Sequence, residues 1–394
     1  MLKGIRKGTA SVLAVILSLS PCLSGAHAEG TITSTSEPNV TARYYEAYDI
    51  TSGQEILGKR ETEKMYPASI TKVLFSEVML DHLSELGKKT DDIAGKVLSA
   101  DNEKAARNGL YRSGLKAGET VSYEDLLHSI IYMSGAEACY AAVRLTFGTE
   151  AKAAESMNEK AKELGMTNSH FVNVTGAHSK NHYTTCSDFV KVMQAAWNSP
   201  ELKQIFSTGS YTTSDRKHTF KSPTSRASSI CRGLLIGGKT GTTDAAQHTF
   251  AGYAKLKGHD AIIITGLSPL KISQSNLKDA AAIAKYIRNS YELKNIPKQI
   301  KTNGYIYTPV SDEQLIMKKA EATAEVISDA IVVKSGDQTI TLKTNKTPIK
   351  TDNSQSSSTA KKETKKKTEE KKVTLMFIVK CIRKFLAHIF GGGN

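Results

Sequence analysis

Apolar residues recur every three or four positions in several stretches of the chain, which is the spacing of one helix face. After Pro67 this pattern predicts a helix that begins at about Ser69 and ends near Gly87. Ser122 is followed three residues later by Asp125, which marks another helix start and predicts a helix up to Ser134. Further helices are predicted over residues 136–145, 151–164, 187–197 and 277–291.

Short apolar runs predict strands on both sides of this helical region. Residues 44–50 and 55–57 form one predicted hairpin, and residues 249–256 and 261–267 form another. Residues 205–230 are polar, and we expect them in exposed strands or loops. The order of strands, helices, paired strands and a last helix predicts an α+β fold, in which helices flank an antiparallel sheet. We assign residues 42–293 to this domain.

The segments before and after residues 42–293 differ from this domain in amino-acid composition. Residues 1–28 have a basic start, an apolar stretch and an Ala-His-Ala cleavage site, which predicts a secretory signal peptide. The polar residues 29–41 are predicted to be disordered. Residues 300–349 contain short β-prone runs and are predicted to form a small β domain. Residues 350–372 lack core-forming side chains, which predicts a flexible charged linker.

Residues 373–391 become apolar again, but charged side chains interrupt them too often for a helix that spans a bilayer. Wound as a helix, the segment places its apolar residues on one face and Lys380, Arg383 and Lys384 on the other. That pattern is typical of an amphipathic helix lying in the membrane interface. The predicted signal peptide and this segment together lead us to expect an exported protein, held at the outer face of the cytoplasmic membrane or in the cell wall.

Charge and cysteine content narrow the possible functions. The formal net charge is +14, and residues 361–394 hold ten Lys or Arg against three Glu, so half of the excess lies in this tail. Because these charges are not interleaved with aromatic residues on a folded face, nucleic-acid binding is not predicted. The cysteines have no metal-ligand spacing, so no metal site is expected. The disulfide state of Cys139, Cys186 and Cys231 stays open.

The stretch with the most specific chemistry is Pro67-Ala68-Ser69-Ile70-Thr71-Lys72. Ser69 and Lys72 are three residues apart, so they share one helix face. A desolvated lysine there can lose its proton and activate the serine as a nucleophile. Ser-x-x-Lys occurs six times in the chain. Ser69 is distinguished by the proline at a helix start and by the apolar helical spacing after it, whereas an isolated match is more often a surface serine and lysine.

Two further motifs accompany this pair. Lys239-Thr240-Gly241 occurs once, at the start of a predicted strand, and Ser134 ends a predicted helix. In chain order, Ser69-x-x-Lys72, Ser134 and Lys239-Thr240-Gly241 resemble the three motifs of the penicillin-recognising serine acyl-transferases. The low-molecular-mass D-alanyl-D-alanine carboxypeptidases, serine peptidase family S11, are the closer match, over about residues 40–290. Other matching stretches are Gly114–Gly118, Asp125–Leu127, Met157–Asn158, Leu164–Met166, Phe171–Asn173 and His182–Thr185.

The resemblance implies a β-lactamase/transpeptidase-like fold with a helical subdomain, and it implies roles for the motif residues. Ser69 would be acylated by the terminal D-alanyl-D-alanine of peptidoglycan stem peptides, or by β-lactam antibiotics. Lys72 would accept its proton, and Ser134 would pass a proton to the leaving D-alanine. Substrate would be bound by Lys239, Thr240, Gly241 and Thr242, with backbone N–H groups of Ser69 and about Thr242 facing the oxyanion. No cofactor is required.

One position departs from the family pattern. The second motif reads Ser134-Gly135-Ala136, where the family usually has asparagine third. Losing that amide would weaken positioning by about 1–3 kcal/mol. The sequence therefore predicts that Ala136→Asn would raise acylation, unless a nearby side chain compensates. It also leaves open a catalytically impaired penicillin- or peptidoglycan-binding homologue.

Other assignments are disfavoured by the residues. A class A β-lactamase would need a carboxylate to hold its deacylating water, and no Glu-x-x-x-Asn pattern lies between Ser134 and Lys239. His182 is interpreted as a structural residue, because the lysine-based mechanism does not require it. The balance among carboxypeptidase, endopeptidase and transpeptidase action, the preferred muropeptide and the oligomeric state are not determined by the sequence.

Overall fold

The computed structural model describes residues 37–349 of the 394-residue chain. The predicted signal peptide, the linker and the C-terminal helix lie outside the described residues. Of the predicted disordered segment 29–41, only residues 37–41 are described, and Thr41 donates hydrogen bonds from its N–H and its hydroxyl to Asp279. The domain boundaries inferred from the sequence remain predictions.

The described residues form ten α-helices and seventeen strands. The helices are α1 Thr71–Glu85, α2 Ser99–Arg107, α3 Tyr123–Met133, α4 Ala136–Ala142, α5 Glu150–Glu163, α6 Cys186–Asn198, α7 Pro200–Ser207, α8 Pro223–Arg226, α9 Ser228–Cys231 and α10 Ser275–Ser290. A 3₁₀ turn, Ala68–Ile70, precedes α1, and a π-helical turn, Val143–Phe147, follows α4.

The strands comprise those of the main sheet, three short pairs and those near the C-terminal end of the described chain. They are β1 Tyr44–Asp49, β2 Gln54–Lys59, β3 Ile93–Lys96, β4 Thr120–Ser122, β5 Ser210–Thr212, β6 Thr219–Lys221, β7 Gly237–Thr243, β8 Gln247–Leu256, β9 His259–Ser268, β10 Tyr291–Lys294, β11 Ile300–Thr302, β12 Tyr305–Pro309, β13 Leu315–Lys318, β14 Ala322–Ile327, β15 Ala330–Ser335, β16 Gln338–Leu342 and β17 Thr344–Pro348.

The main sheet is antiparallel and has the order β2-β1-β9-β8-β7. Successive side chains of a strand point to opposite faces, and β9 shows this clearly. Ile262 and Ile264 pack into the larger core with α1, α3 and α6, whereas Ile263 packs with α10 on the other face. Both faces of the sheet are therefore covered by helices, which confirms the predicted α+β class with an antiparallel sheet.

The helices predicted from apolar spacing are present, with small differences at their ends. Ser122 caps α3 by accepting a hydrogen bond from the Asp125 N–H, and the Asp125 carboxylate accepts one from the Ser122 N–H. Residues 205–230 are more structured than the polar composition predicts. They include the end of α7, the β5–β6 hairpin and the one-turn helices α8 and α9. The Ser199 hydroxyl and Pro200 start α7, a combination that favours a helix N-terminus.

Lys239–Thr242 is not the start of the strand that follows it. These residues lie in a separate strand, β7, which pairs with β8 across the turn at residues 244–246. The apolar pattern did not predict this strand, because β7 consists of glycine, threonine and lysine residues only and therefore lacks the usual apolar alternation of a strand. β7 is one of the two edge strands of the main sheet, so half of its backbone groups face away from β8.

The small β domain predicted at residues 300–349 is present. Strands β14, β15 and β16 form an antiparallel meander. Its apolar core includes Leu315, Met317, Ile331 and Val333. Strand β13 of this region also pairs with β10, which continues from α10.

Candidate active site

The Ser69 turn brings the predicted nucleophile and base together. Pro67 precedes the 3₁₀ turn, and Lys72 lies in the first turn of α1. Lys72 Nζ is 3.1 Å from Ser69 Oγ and donates a hydrogen bond to the carbonyl oxygen of Thr175 at 2.6 Å. Lys72 is 2% exposed, whereas Ser69 is half-buried. The two residues therefore have the geometry expected for proton transfer from serine to lysine.

Burial favours the neutral form of this lysine. Because the surroundings of the Lys72 ammonium exclude water, its pKa lies below the ordinary lysine value; Cys139 and Glu137 oppose this shift less strongly. No salt bridge of residues 37–349 includes Lys72, whose Nζ contacts a carbonyl and a hydroxyl instead. The site can thus supply a base without a histidine.

The Thr175 carbonyl is held by a tight turn built around Asn173. The Asn173 side-chain oxygen accepts hydrogen bonds from the N–H groups of Thr175, Gly176 and Ala177, and its amide donates to the Ala177 carbonyl. Gly176 has φ +80°, and a Cβ there would lie 1.9 Å from the Ala68 carbonyl oxygen. Only glycine fits this contact, so the turn packs directly against the residue that precedes Ser69.

Strand β7 approaches the same turn from the other side. A Cβ on Gly241 would lie 2.8 Å from the Ser69 backbone nitrogen, so this glycine permits the close contact. On β8, the Thr249 hydroxyl donates a hydrogen bond to the Pro67 carbonyl at 2.9 Å. Ala68 adopts φ +49°, an unfavourable conformation for a residue with a side chain, and these contacts hold it. The nucleophile turn is therefore fixed by the sheet.

Lys239, the first residue of the third motif, is completely buried. Its Nζ donates to the Thr240 carbonyl at 2.8 Å. Burial, and after it the positive charges of Lys72 and Arg226, hold the pKa of Lys239 well below its usual range. The more accessible groups of β7 are the half-buried Thr240 and the exposed Thr242, whose hydroxyl is 2.8 Å from His248 Nδ1. His248 could not be predicted from the sequence, because only the β7–β8 register places it opposite Thr242.

Ser134 lies at the end of α3, as predicted. It adopts a left-handed conformation, φ 59° and ψ 27°, between α3 and α4 and is half-buried. Among the hydrogen bonds of residues 37–349, none joins its hydroxyl to Ser69 or Lys72. The structure thus unites Ser69 and Lys72, places β7 against their turn, and leaves the role of Ser134 a prediction.

The residues after Ser134 include a buried polar anchor that was not predicted from the sequence. Glu137 is completely buried, and its Oε1 accepts hydrogen bonds from the N–H and hydroxyl of Ser113 and from the Gly114 N–H. The Ala136 N–H donates to the Tyr111 carbonyl at 2.9 Å. The loop before β4 is therefore tied to the start of α4. A buried glutamate beside a small residue is not distinctive enough to be recognised in the sequence.

His182 has a structural environment. The Val172 N–H donates to His182 Nδ1 at 3.1 Å, so Nε2 carries the proton and donates to the Thr71 hydroxyl at 2.8 Å. Burial, and after it neighbouring positive groups, lowers the pKa of His182 to about 4, so the ring is neutral. Cys139, Cys186 and Cys231 are buried free thiols. Burial raises the pKa of Cys139 to about 11, which disfavours a thiolate nucleophile.

Known proteins resemble this chain in sequence and in fold. The Bacillus subtilis carboxypeptidase DacF is 29% identical over 54% of the chain and 54% of its own length. Escherichia coli DacC is 30% identical over 55% of the chain and 54% of its own length. Both are named D-alanyl-D-alanine carboxypeptidases. The chain spans about half the length of these curated relatives.

Solved structures share the fold at lower identity. The Streptomyces K15 DD-transpeptidase is 22% identical, with a TM-score of 0.57 over 64% of this chain and 98% of its own. A D-alanyl-D-alanine carboxypeptidase of Mycobacterium tuberculosis is 24% identical, with a TM-score of 0.55 over 65% of this chain and 94% of its own. The family model described as D-alanyl-D-alanine carboxypeptidase, peptidase S11, matches residues 31–266, more than half of the chain. The chain belongs to the S11 family of D-alanyl-D-alanine carboxypeptidases.

Proposed function

We propose that this chain is a serine-type D-Ala-D-Ala carboxypeptidase, which removes the terminal D-alanine of peptidoglycan pentapeptides during cell wall maturation. One observation carries the proposal: the buried Lys72 amine lies 3.1 Å from the hydroxyl of the half-buried Ser69. Membership of the S11 family supports the substrate class. The same nucleophile would open the ring of a β-lactam and remain acylated.

The proposed reaction begins with neutral Lys72. Ser69 Oγ bonds to the carbonyl carbon of the penultimate D-alanine, and its proton passes to Lys72 Nζ. The C–N bond then breaks as the proton held by Lys72 is returned to the leaving amine, with the Ser134 hydroxyl as the proposed relay that gives one proton to the amine and takes one from Lys72. Water next adds to the Ser69 ester, releasing the shortened peptide and restoring the hydroxyl. No step requires a metal or an organic cofactor.

Strand β7 would bind the substrate. The N–H of Ser69, beside Gly241, is one proposed donor to the oxyanion, and a β7 N–H near Thr242 is the other. The terminal carboxylate would contact the Thr240 and Thr242 side chains. Lys239 is completely buried, so it would act mainly through its effect on the local potential.

Release of D-alanine tests the proposal. The mature chain, incubated with diacetyl-Lys-D-Ala-D-Ala, should release D-alanine. After incubation with penicillin, the intact mass of the protein should increase by one penicilloyl group. Both results should be lost in Ser69→Ala. Acylation without D-alanine release would instead favour the alternative, a catalytically impaired penicillin-binding homologue. No release above the Ser69→Ala background would refute the carboxypeptidase proposal.

We further propose export and attachment to the outer face of the cytoplasmic membrane through residues 373–391. The basic and apolar faces inferred for this segment support the proposal. Within residues 37–349, no helix is sufficiently long and apolar to cross a bilayer. The mature chain should float with anionic vesicles, and a version that stops at Lys372 should not. Equal behaviour of the two proteins would refute the anchor.

A further inference from the structure

Ser134 has a backbone conformation that needs support from other segments. Its φ of 59° is uncommon for a residue with a side chain, because Cβ then lies close to neighbouring backbone atoms. Such conformations persist only where the surrounding structure holds them. After Ser134, the Gly135 N–H donates to the Ser129 carbonyl at 3.1 Å, and the Ala136 N–H donates to the Tyr111 carbonyl at 2.9 Å. The proposed proton relay therefore lies in a turn that neighbouring segments hold in place.

Arg226 of α8 contacts the chain immediately before this turn. Its Nη1 donates to the Tyr132 carbonyl at 3.0 Å and to the Lys221 carbonyl at 2.7 Å, and it lies 3.2 Å from the sulphur of Met133. Tyr132 and Met133 are the last two residues of α3, directly before Ser134. Carbonyls at a helix C-terminus lack donors within the helix, and a cation there also interacts favourably with the helix dipole. The guanidinium therefore caps the end of α3.

The short helix that carries Arg226 is itself attached to the main sheet. In α8, the Thr224 hydroxyl donates to the Ile236 carbonyl at 3.3 Å, directly before β7 begins. The Ile236 N–H donates in turn to the Tyr253 carbonyl of β8 at 2.7 Å. Arg226 therefore connects the end of α3 to the segment that leads into β7. This connection relates the position of Ser134 to that of the strand proposed to bind the substrate.

The contacts of Arg226 are with two carbonyls and a thioether, and no salt bridge of residues 37–349 includes it. Its donors thus hold backbone segments rather than a carboxylate. We propose that Arg226 is a positioning residue for Ser134, fixing the end of α3 so that the Ser134 hydroxyl can relay a proton from Lys72 to the leaving amine. It acts through the last two residues of α3. The inference rests on the proposed function, because it deepens the role proposed there for Ser134.

The leaving group distinguishes this role from a general structural one. The amine of D-alanine must be protonated as it leaves, whereas the oxygen leaving group of a D-lactate ester depends much less on a proton donor. Arg226→Met removes the charge and the donors but keeps an unbranched side chain. We expect kcat/KM to fall about tenfold for diacetyl-Lys-D-Ala-D-Ala and less than about twofold for diacetyl-Lys-D-Ala-D-lactate. The ratio of the two constants, measured on one preparation, is independent of the folded fraction.

Arg288→Met is the matched control. Arg288 lies in the last turn of α10, and its Nη2 donates to the Lys255 carbonyl of β8 at 3.0 Å. This variant should keep the native ratio of the two constants. If Arg226→Met slows both substrates equally, or neither, while the native chain releases D-alanine, the positioning role is refuted and the proposed function stands. If the native chain releases no D-alanine, the proposed function fails and the inference fails with it.

Combination with Ser134→Ala gives a second test. Ser134→Ala alone should lower the amide-to-ester ratio of kcat/KM at least as much as Arg226→Met does, because it removes the relay itself. Adding Arg226→Met to Ser134→Ala should leave the ratio unchanged, since no hydroxyl then remains to be positioned. A native ratio in Ser134→Ala, or a further fall in the double variant, would overturn the proposal.

Discussion

Lysines occupy two contrasting environments in this protein. In the main domain, Lys72 and Lys239 are buried and donate to backbone carbonyls rather than to carboxylates. In the small β domain, Lys318, Lys334 and Lys346 are more accessible and pair with Asp337, Glu325 and Asp329 respectively.

The contrast shows how the surroundings determine what a lysine can do. Burial lowers the pKa values of Lys72 and Lys239, and the positive charge of Lys72 lowers that of Lys239 further. Hydrogen bonding to Asp329 raises the pKa of Lys346, which therefore stays protonated. The first environment yields a base, and the second yields surface ion pairs of low energetic value.

The largest expected effect follows from making the buried lysine permanently charged. Lys72→Arg keeps a positive group but cannot provide a neutral base, so acylation of Ser69 by labelled penicillin should slow by about 10³-fold. Lys334→Arg, the corresponding change in the small β domain, should have no effect on acylation. Substantial activity in Lys72→Arg would show that another group accepts the Ser69 proton.

The pH dependence should report the lowered pKa directly. Below the folded-state pKa of Lys72, the neutral fraction falls about tenfold per pH unit, so the acylation rate should rise with pH and then level off. Because burial lowers this pKa, the midpoint should lie below the ordinary lysine value of 10.5. A midpoint at that value would indicate that water reaches Lys72 freely. The measurement is the acylation rate between about pH 5 and about pH 10 in buffers that retain the fold.

A smaller effect is expected when the carbonyl that holds Lys72 loses its support. Asn173→Ala removes the acceptor that organises the Thr175 turn, and acylation should slow by about tenfold. Asn168→Ala is the matched control, because the Asn168 side-chain amide donates only to its neighbour Thr167 among the hydrogen bonds of residues 37–349. Equal rates for the two variants would mean that the turn does not depend on Asn173.

The smallest effect is expected at the surface. Lys334→Ala removes the ion pair with Glu325, and the free energy of unfolding should fall by no more than about 1 kcal/mol. Acylation should be unchanged, and added salt should reduce the stability difference further. Thermal unfolding at two salt concentrations measures this. A loss several times larger would show that surface pairing contributes to the fold more than this comparison implies.

Features that depend on local spacing were predictable from the sequence. Apolar periodicity and the Ser122–Asp125 cap predict the helices, because helix faces and caps involve residues three or four positions apart. The Ser69–Lys72 pair was predictable for the same reason. β7 was not recognised as a separate strand. Its Gly241 is required by the close approach of Ser69, and Ser69 is so distant in the sequence that local spacing does not reveal this contact.

The amino-acid order was enough to indicate the family, the α+β class and the residues that carry the proposed chemistry. The protonation and the partners of those residues depend on the folded chain. Nothing local to residues 69–72 indicates that the Thr175 carbonyl will hold Lys72, or that Lys239 will be buried on the Thr240 carbonyl. Burial and the partners of a charged group come from distant segments, and these set a pKa that sequence spacing does not specify.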